Sequence, residues 1–174
     1  NPPLNVKVMR NNCPDWLVTA QISAMQHVEK VSNLPSTPKG FLNQSGQSYI
    51  EVADEAGNHR VVWALKYIPG KCFAKLHSKP LNLIGEIGEA LGATTNALRG
   101  YKNKDLERTF KWNLLQEGWI DDHLLCIEDK ERYKIVKNIS ETFSRCLPKL
   151  KSFTRQVIQH DSNDYKLNVY VGSP

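Results

Sequence analysis

The chain has 174 residues, is 40% apolar and carries a formal net charge of +5 at pH 7, with a pI near 9.0. That length makes one domain, or two small ones sharing a core, and at this size roughly 70% of the unfolded surface can be buried, so no disulfide or metal staple is required. No apolar run is long enough to cross a bilayer, and the basic residues Lys102, Lys104, Arg108 and Lys111 are interrupted by Asp105 and Glu107, a mixed pattern that argues against a dedicated nucleic-acid surface.

Along the chain, Val6 and Val8 flank Lys7 in an alternating strand that ends at Arg10-Asn11-Asn12. Cys13-Pro14-Asp15 is a turn, with Asp15 as a helix cap. Leu17, Ala20, Ala24, Met25 and Val28 recur at threes and fours, which predicts a helix over Trp16–Val31. Pro35 and Pro38 mark a loop over 33–40. A strand over 48–53, a turn at Glu55-Ala56-Gly57-Asn58 and a returning strand over 61–67 form a hairpin that Pro69-Gly70 ends abruptly. Residues 1–70 therefore read as a small lobe of strand, helix and hairpin.

Residues 71–174 read as mostly helical. Leu83, Ile84, Ile87, Leu91 and Leu98 predict a helix over 82–98. Gly85, Gly88 and Gly92 lie inside it at a cost of about 1 kcal/mol each against alanine, so close packing on another helix is expected there. Residues 110–120, with Trp112 and Trp119, read as a short helix or ordered loop in which Trp112 anchors the lobe. A helix over 129–147 places Ile135, Val136, Ile139, Phe143 and Cys146 on its apolar face, and Pro148 is expected to end it.

Cys13, Cys72, Cys126 and Cys146 show no CxxC spacing, so they read as thiols of a reducing compartment, and the start of the chain has neither the basic nor the apolar part of a signal peptide. An intracellular setting, cytoplasmic or in the mitochondrial matrix, is expected. The acceptor patterns at Asn43-Gln44-Ser45 and Asn138-Ile139-Ser140 then read as chance. His27, His59, His77 and His123 have no metal spacing, and Asp121-Asp122 reads as a cap, so no metal ligand is assigned.

The segment 157–171 is the most informative. It reads as an apolar strand, a tight polar turn holding His160, Asp161, Asn163 and Asp164, and a returning strand. Phosphoryl-transfer enzymes build a catalytic loop in this form, with an Asp accepting the substrate hydroxyl proton and an Asn five residues later holding magnesium. Asp161 is so placed, but five residues on stands Lys166. An ammonium cannot ligate magnesium; it can pair with Asp161 or Asp164 and hold the turn without a metal. His160 is expected to order the loop by hydrogen bonding.

Six segments in order carry a family resemblance: Val6-Lys7-Val8; Ala20-Gln21-Ile22-Ser23-Ala24-Met25; Leu65-Lys66-Tyr67-Ile68-Pro69-Gly70-Lys71; Leu83-Ile84-Gly85-Glu86-Ile87-Gly88 with Ala97-Leu98; Phe110-Lys111-Trp112-Asn113-Leu114; and the 157–169 turn. Together they resemble the aminoglycoside phosphotransferase and choline kinase superfamily, and more closely hydroxylysine kinases and the kinase-like domain fused to class III aminotransferases. The resemblance implies an α+β, kinase-like fold that is truncated: the glycine-rich loop would precede Lys7, and the main metal-binding acid would follow Pro174. It makes Lys7 the phosphate-reaching lysine, Gln21 the uncharged counterpart of its usual glutamate partner, 64–67 with Leu65 and Tyr67 the hinge that meets a purine edge, Trp112-Asn113-Leu114 a segment near the acceptor, and Asp161 the catalytic base. The family's His two places before that Asp is Gln159 here.

Two functions follow. In one, the protein is a degenerate phosphotransferase, a pseudokinase scaffold or subunit of a larger protein assembly. In the other, with magnesium and ATP or GTP as cofactors, it transfers a phosphoryl group to a hydroxyl of a small amine metabolite such as hydroxylysine.

Overall fold

A computed structural model describes residues 3–31 and 37–170; part of the loop expected at 33–40 lies outside the described residues. The architecture is mixed α+β, and the chain groups into two compact units, 1–106 with 156–174, and 107–155. Residue 70 lies inside the first unit.

The first unit is built on a three-stranded antiparallel sheet of order β1-β3-β2, formed by β1 (Leu4–Val8), β2 (Ile50–Ala53) and β3 (His59–Lys66). The β2–β3 turn is set by Asp54, which accepts the backbone N–H groups of Ala56 and Asn58 at 3.0 and 2.8 Å, and by Gly57 at φ +78°, a left-handed conformation that glycine adopts without strain. Between β1 and β2, helix α1 (Trp16–Val31) lies against one face of the sheet. Val18 and Ile22 of α1 pack with Val61, Trp63 and Leu65 of β3, and Met9, Met25 and Tyr49 close the edges of this core. The alternation along β3 puts Val61, Trp63 and Leu65 on the covered face and Val62, Ala64 and Lys66 on the other.

After β3, a short strand β4 (Lys71–Cys72) and a 3₁₀ turn (Phe73–Lys75) lead to α2 (Leu81–Ala97). The end of α2 is tied to α1: the His27 ring meets the Ala97 carbonyl at 3.1 Å and lies 4.7 Å from the Tyr101 ring, while the Tyr101 hydroxyl bonds Ser23 at 2.8 Å. The close helix packing expected at Gly85, Gly88 and Gly92 is not formed. A Cβ at any of the three would meet open space: among the described residues nothing approaches them within 4 Å.

The second unit pairs a 3₁₀ segment (Leu114–Cys126), kinked at Gln116, with α3 (Lys130–Lys151). Asp129 caps α3 through the Arg132 N–H at 2.8 Å. Pro148 lies inside α3 rather than ending it; in the last turn the proline lacks only one internal donor, and the helix runs on to Lys151. The covered face of α3 is set by Val136, Ser140, Phe143 and Leu147, so the expected apolar face is displaced: Ile135 and Ile139 are exposed. Buried Ser140 donates to Asp121 at 2.7 Å, which gives that acid a packing role instead of the expected cap. Trp112 is 80% exposed and anchors nothing, whereas Trp119 donates to the Lys111 carbonyl at 3.1 Å.

Candidate functional site

The 157–171 segment does not form the expected two-stranded hairpin. Residues 157–160 are not strand, and β5 (Asn168–Val169) pairs instead with β4, Lys71 opposite Val169 and Cys72 opposite Asn168. The segment is docked on the stretch after β3 by the Phe73 N–H to the Leu167 carbonyl (2.9 Å), the Ala74 N–H to the Asp164 carbonyl (3.0 Å) and the Asn168 side-chain amide to the Ile68 carbonyl (3.0 Å). Gly70 permits the approach: its φ is +150°, and a Cβ there would lie 2.9 Å from the Val169 carbonyl oxygen.

Within this segment Asp161 is the hub. Its Oδ1 accepts from the Asn163 amide at 2.6 Å, and its Oδ2 accepts from the Lys166 ammonium in an exposed ion pair. Those two donors, Lys166 foremost, hold the Asp161 carboxyl below its ordinary pKa. The residue before it, His160, has φ +62°, and the Asp161 N–H closes a tight turn onto the Gln159 carbonyl at 2.7 Å. A non-glycine residue in the left-handed region costs on the order of 1–3 kcal/mol, and such positions cluster at functional sites. Gln159 also accepts the Asp161 N–H on its side-chain oxygen at 3.0 Å and bonds the Ser162 hydroxyl.

Lys7 lies on β1 opposite Trp63, with its ammonium 5.0 Å from the indole ring. Burial, and then the nearby Lys166 ammonium, lower its pKa from the ordinary lysine value. Lys166 is the centre of this cluster: its charge reaches Lys7, and its ammonium pairs with Asp161. Gln21 is not part of it: its side-chain amide donates to the Leu17 carbonyl, one turn back along α1, at 3.1 Å.

The expected hinge is structural. The Leu65 side chain is in the core, and its backbone pairs with Asn5. The Ala64 carbonyl takes the Phe41 N–H at 2.9 Å, the Lys66 N–H donates to Lys39 at 2.8 Å and the Tyr67 N–H donates to Pro3 at 3.0 Å. These are the groups a purine edge would need, and they are already paired. A shallow depression of about 490 Å³ lies beside this stretch, lined by Gly70, Lys71, Leu76 and Tyr170; neither Lys7 nor Asp161 lines it.

The donor set does not fit magnesium. Both Asp161 oxygens carry internal bonds, and the position that would supply a neutral amide oxygen supplies a cation. Among the described residues no cluster of three or more His, Cys, Asp or Glu side chains could hold a metal ion, and no helix is long and apolar enough to cross a membrane. Sequence reasoning missed the docking of Asp164 and Asn168 on 68–74, because their partners lie about a hundred residues away and leave no local pattern. Comparison with protein families, curated proteins and solved structures finds no match.

Proposed function

We propose that this chain is a kinase-like, phosphotransferase-related domain that no longer transfers phosphate and acts as a scaffold or subunit in a protein assembly. The observation that carries the reading is the Lys166–Asp161 ion pair. In an active loop the Asp is free to take a proton and its Asn partner faces a metal. Here the cation comes from the chain itself, so the charge that magnesium would neutralise is already neutralised. The order of parts supports descent from such an enzyme: a lysine strand, a helix behind it, a hairpin leading into 67–70, and a strained aspartate turn docked beyond. The paired backbone of 64–67 supports loss of nucleotide binding. An intracellular setting, the cytoplasm or the mitochondrial matrix, goes with four cysteines that form no disulfide.

Thermal denaturation with magnesium-ATP and magnesium-GTP tests this. A competent site would gain about 2.7 kcal/mol at a hundredfold excess over Kd, an easily read rise in Tm. The expected result is no shift with either nucleotide. A shift in the wild-type chain would overturn the scaffold reading in favour of a small-molecule kinase acting on a hydroxyl of an amine metabolite. Binding restored by Lys166→Asn would mark the ion pair as what closed an ancestral site; with 64–67 still paired, the single substitution is expected to give no shift.

A further inference from the structure

The outer edge of β1 combines two features on the same residues. The Tyr67 N–H bonds the Pro3 carbonyl at 3.0 Å and the Met9 N–H bonds the Val61 carbonyl at 2.8 Å, so the odd-numbered positions of this strand face β3. In an antiparallel ladder successive residues point their N–H and C=O groups to opposite sides. Leu4, Val6 and Val8 therefore point theirs away from β3, to an edge where no strand is paired among the described residues. Their side chains share the sheet face opposite α1 and are 47, 59 and 65% exposed. The apolar face continues across the sheet through Val62 and Ala64 to Ile50 and Val52, which are 45 and 38% exposed.

Natural edge strands are blunted by charges, proline or bulges. The one charge in β1, Lys7, lies over Trp63 on the α1 side and leaves the other face unprotected. An open edge that is apolar on its exposed face is the form that strand addition uses.

We propose that β1 pairs antiparallel with β1 of a second copy of this chain, about a twofold axis through Val6, joining the two sheets into one. The strand is self-complementary in that register. Val6 faces its own copy, Leu4 faces Val8, and Asn5 faces Lys7. Every outward-pointing N–H and C=O then meets one on the partner strand, and the apolar faces become continuous. Centring the pair on Lys7 would set ammonium against ammonium, which is unfavourable; centring it on Asn5 shortens the overlap. Charge and length both select the Val6 register, and a twofold interface needs only one such self-complementary patch.

Light scattering behind size exclusion on the 174-residue chain is expected to give a dimer that dissociates on dilution. Val6→Lys, which sets two cations face to face, is expected to give a monomer with an unchanged circular dichroism spectrum. Val6→Cys reads the register separately and does not depend on the lysine variant folding. On oxidation it is expected to cross-link into dimers, against the wild-type chain with its native cysteines as control, whereas Leu4→Cys is expected to cross-link only when mixed with Val8→Cys. A wild-type chain that is monomeric at every concentration overturns the proposal. So does a dimer in which Val6→Cys fails to cross-link.

Discussion

Two turns in this molecule use the same residue types for different ends. In the β2–β3 turn Asp54 takes the Asn58 amide and the Arg60 guanidinium, with Arg60 Nε at 2.8 Å; in the 159–166 turn Asp161 takes the Asn163 amide and the Lys166 ammonium. The first also accepts two backbone N–H groups, from Ala56 and Asn58, and builds the turn with them. The bonds to the Asp161 carboxylate all come from side chains. Asp54 is three-quarters covered, whereas Asp161 is half exposed. A turn-building aspartate earns its place through the backbone. Asp161 does not: its carboxylate ties the Asn163 and Lys166 side chains of the turn together.

Replacing the two acids separates these roles most sharply. Asp54→Ala is expected to lower the Tm by a few degrees, because the exposed Ala56 N–H and the half-buried Asn58 N–H both lose the acceptor that shapes the turn, and the hairpin register loosens. Asp161→Ala is expected to leave the Tm nearly unchanged, since exposed ion pairs add little. Equal losses in thermal denaturation would erase the distinction.

What holds the second turn in place is its docking, and Gly70 tests that. Gly70→Ala forces a side chain into a conformation that L-residues rarely adopt and pushes a methyl against the Val169 carbonyl. A loss of about 1–3 kcal/mol is expected in urea denaturation, with faster amide exchange at Phe73 and Ala74, whose N–H groups bond the docked segment.

The smallest effect is on pH dependence. Asp54 titrates at about 2 in the folded chain, against roughly 3.9 when unfolded. The unfolded chain therefore binds more protons between those values, so this stabilisation is complete above about pH 4 and is lost as the pH falls toward 2. Asp54→Asn is expected to flatten that part of the acid limb in urea midpoints measured against pH. Asp161 is shifted in the same direction, but its pair is exposed and screened, so Asp161→Asn is expected to change the limb less.

Local pattern carried the parts of this fold that depend on neighbours in sequence. The spacing of Leu17, Ala20, Ala24 and Val28 places α1 at Trp16–Val31, the bounds it has, and the turn at Gly57 follows from glycine chemistry. It failed where a distant partner decides. Residues 157–160 are apolar enough for a strand but find no ladder, while Asn168 and Val169 find one on Lys71 and Cys72. The backbone groups of 64–67 looked free because their partners, the Phe41 N–H and the Lys39 and Pro3 carbonyls, lie in irregular chain with no signature of its own. The glycines of α2 looked like packing sites because periodicity reports which residues share a face and not whether anything lies against it. At the candidate site, the pairing of Lys166 with one of two aspartates, Asp161 or Asp164, was legible from charge and spacing because all three lie in one short turn; the structure selects Asp161.

The tryptophans divide between the two units, with Trp16 and Trp63 in the first and Trp112 and Trp119 in the second. Trp63 is 3% exposed and donates its indole N–H to the Met9 sulfur at 3.3 Å, whereas Trp112 is 80% exposed. Each unit thus carries its own pair of optical probes, with the fully shielded one in the first unit and the fully open one in the second. Fluorescence from the unaltered chain can report whether the halves melt together or in succession.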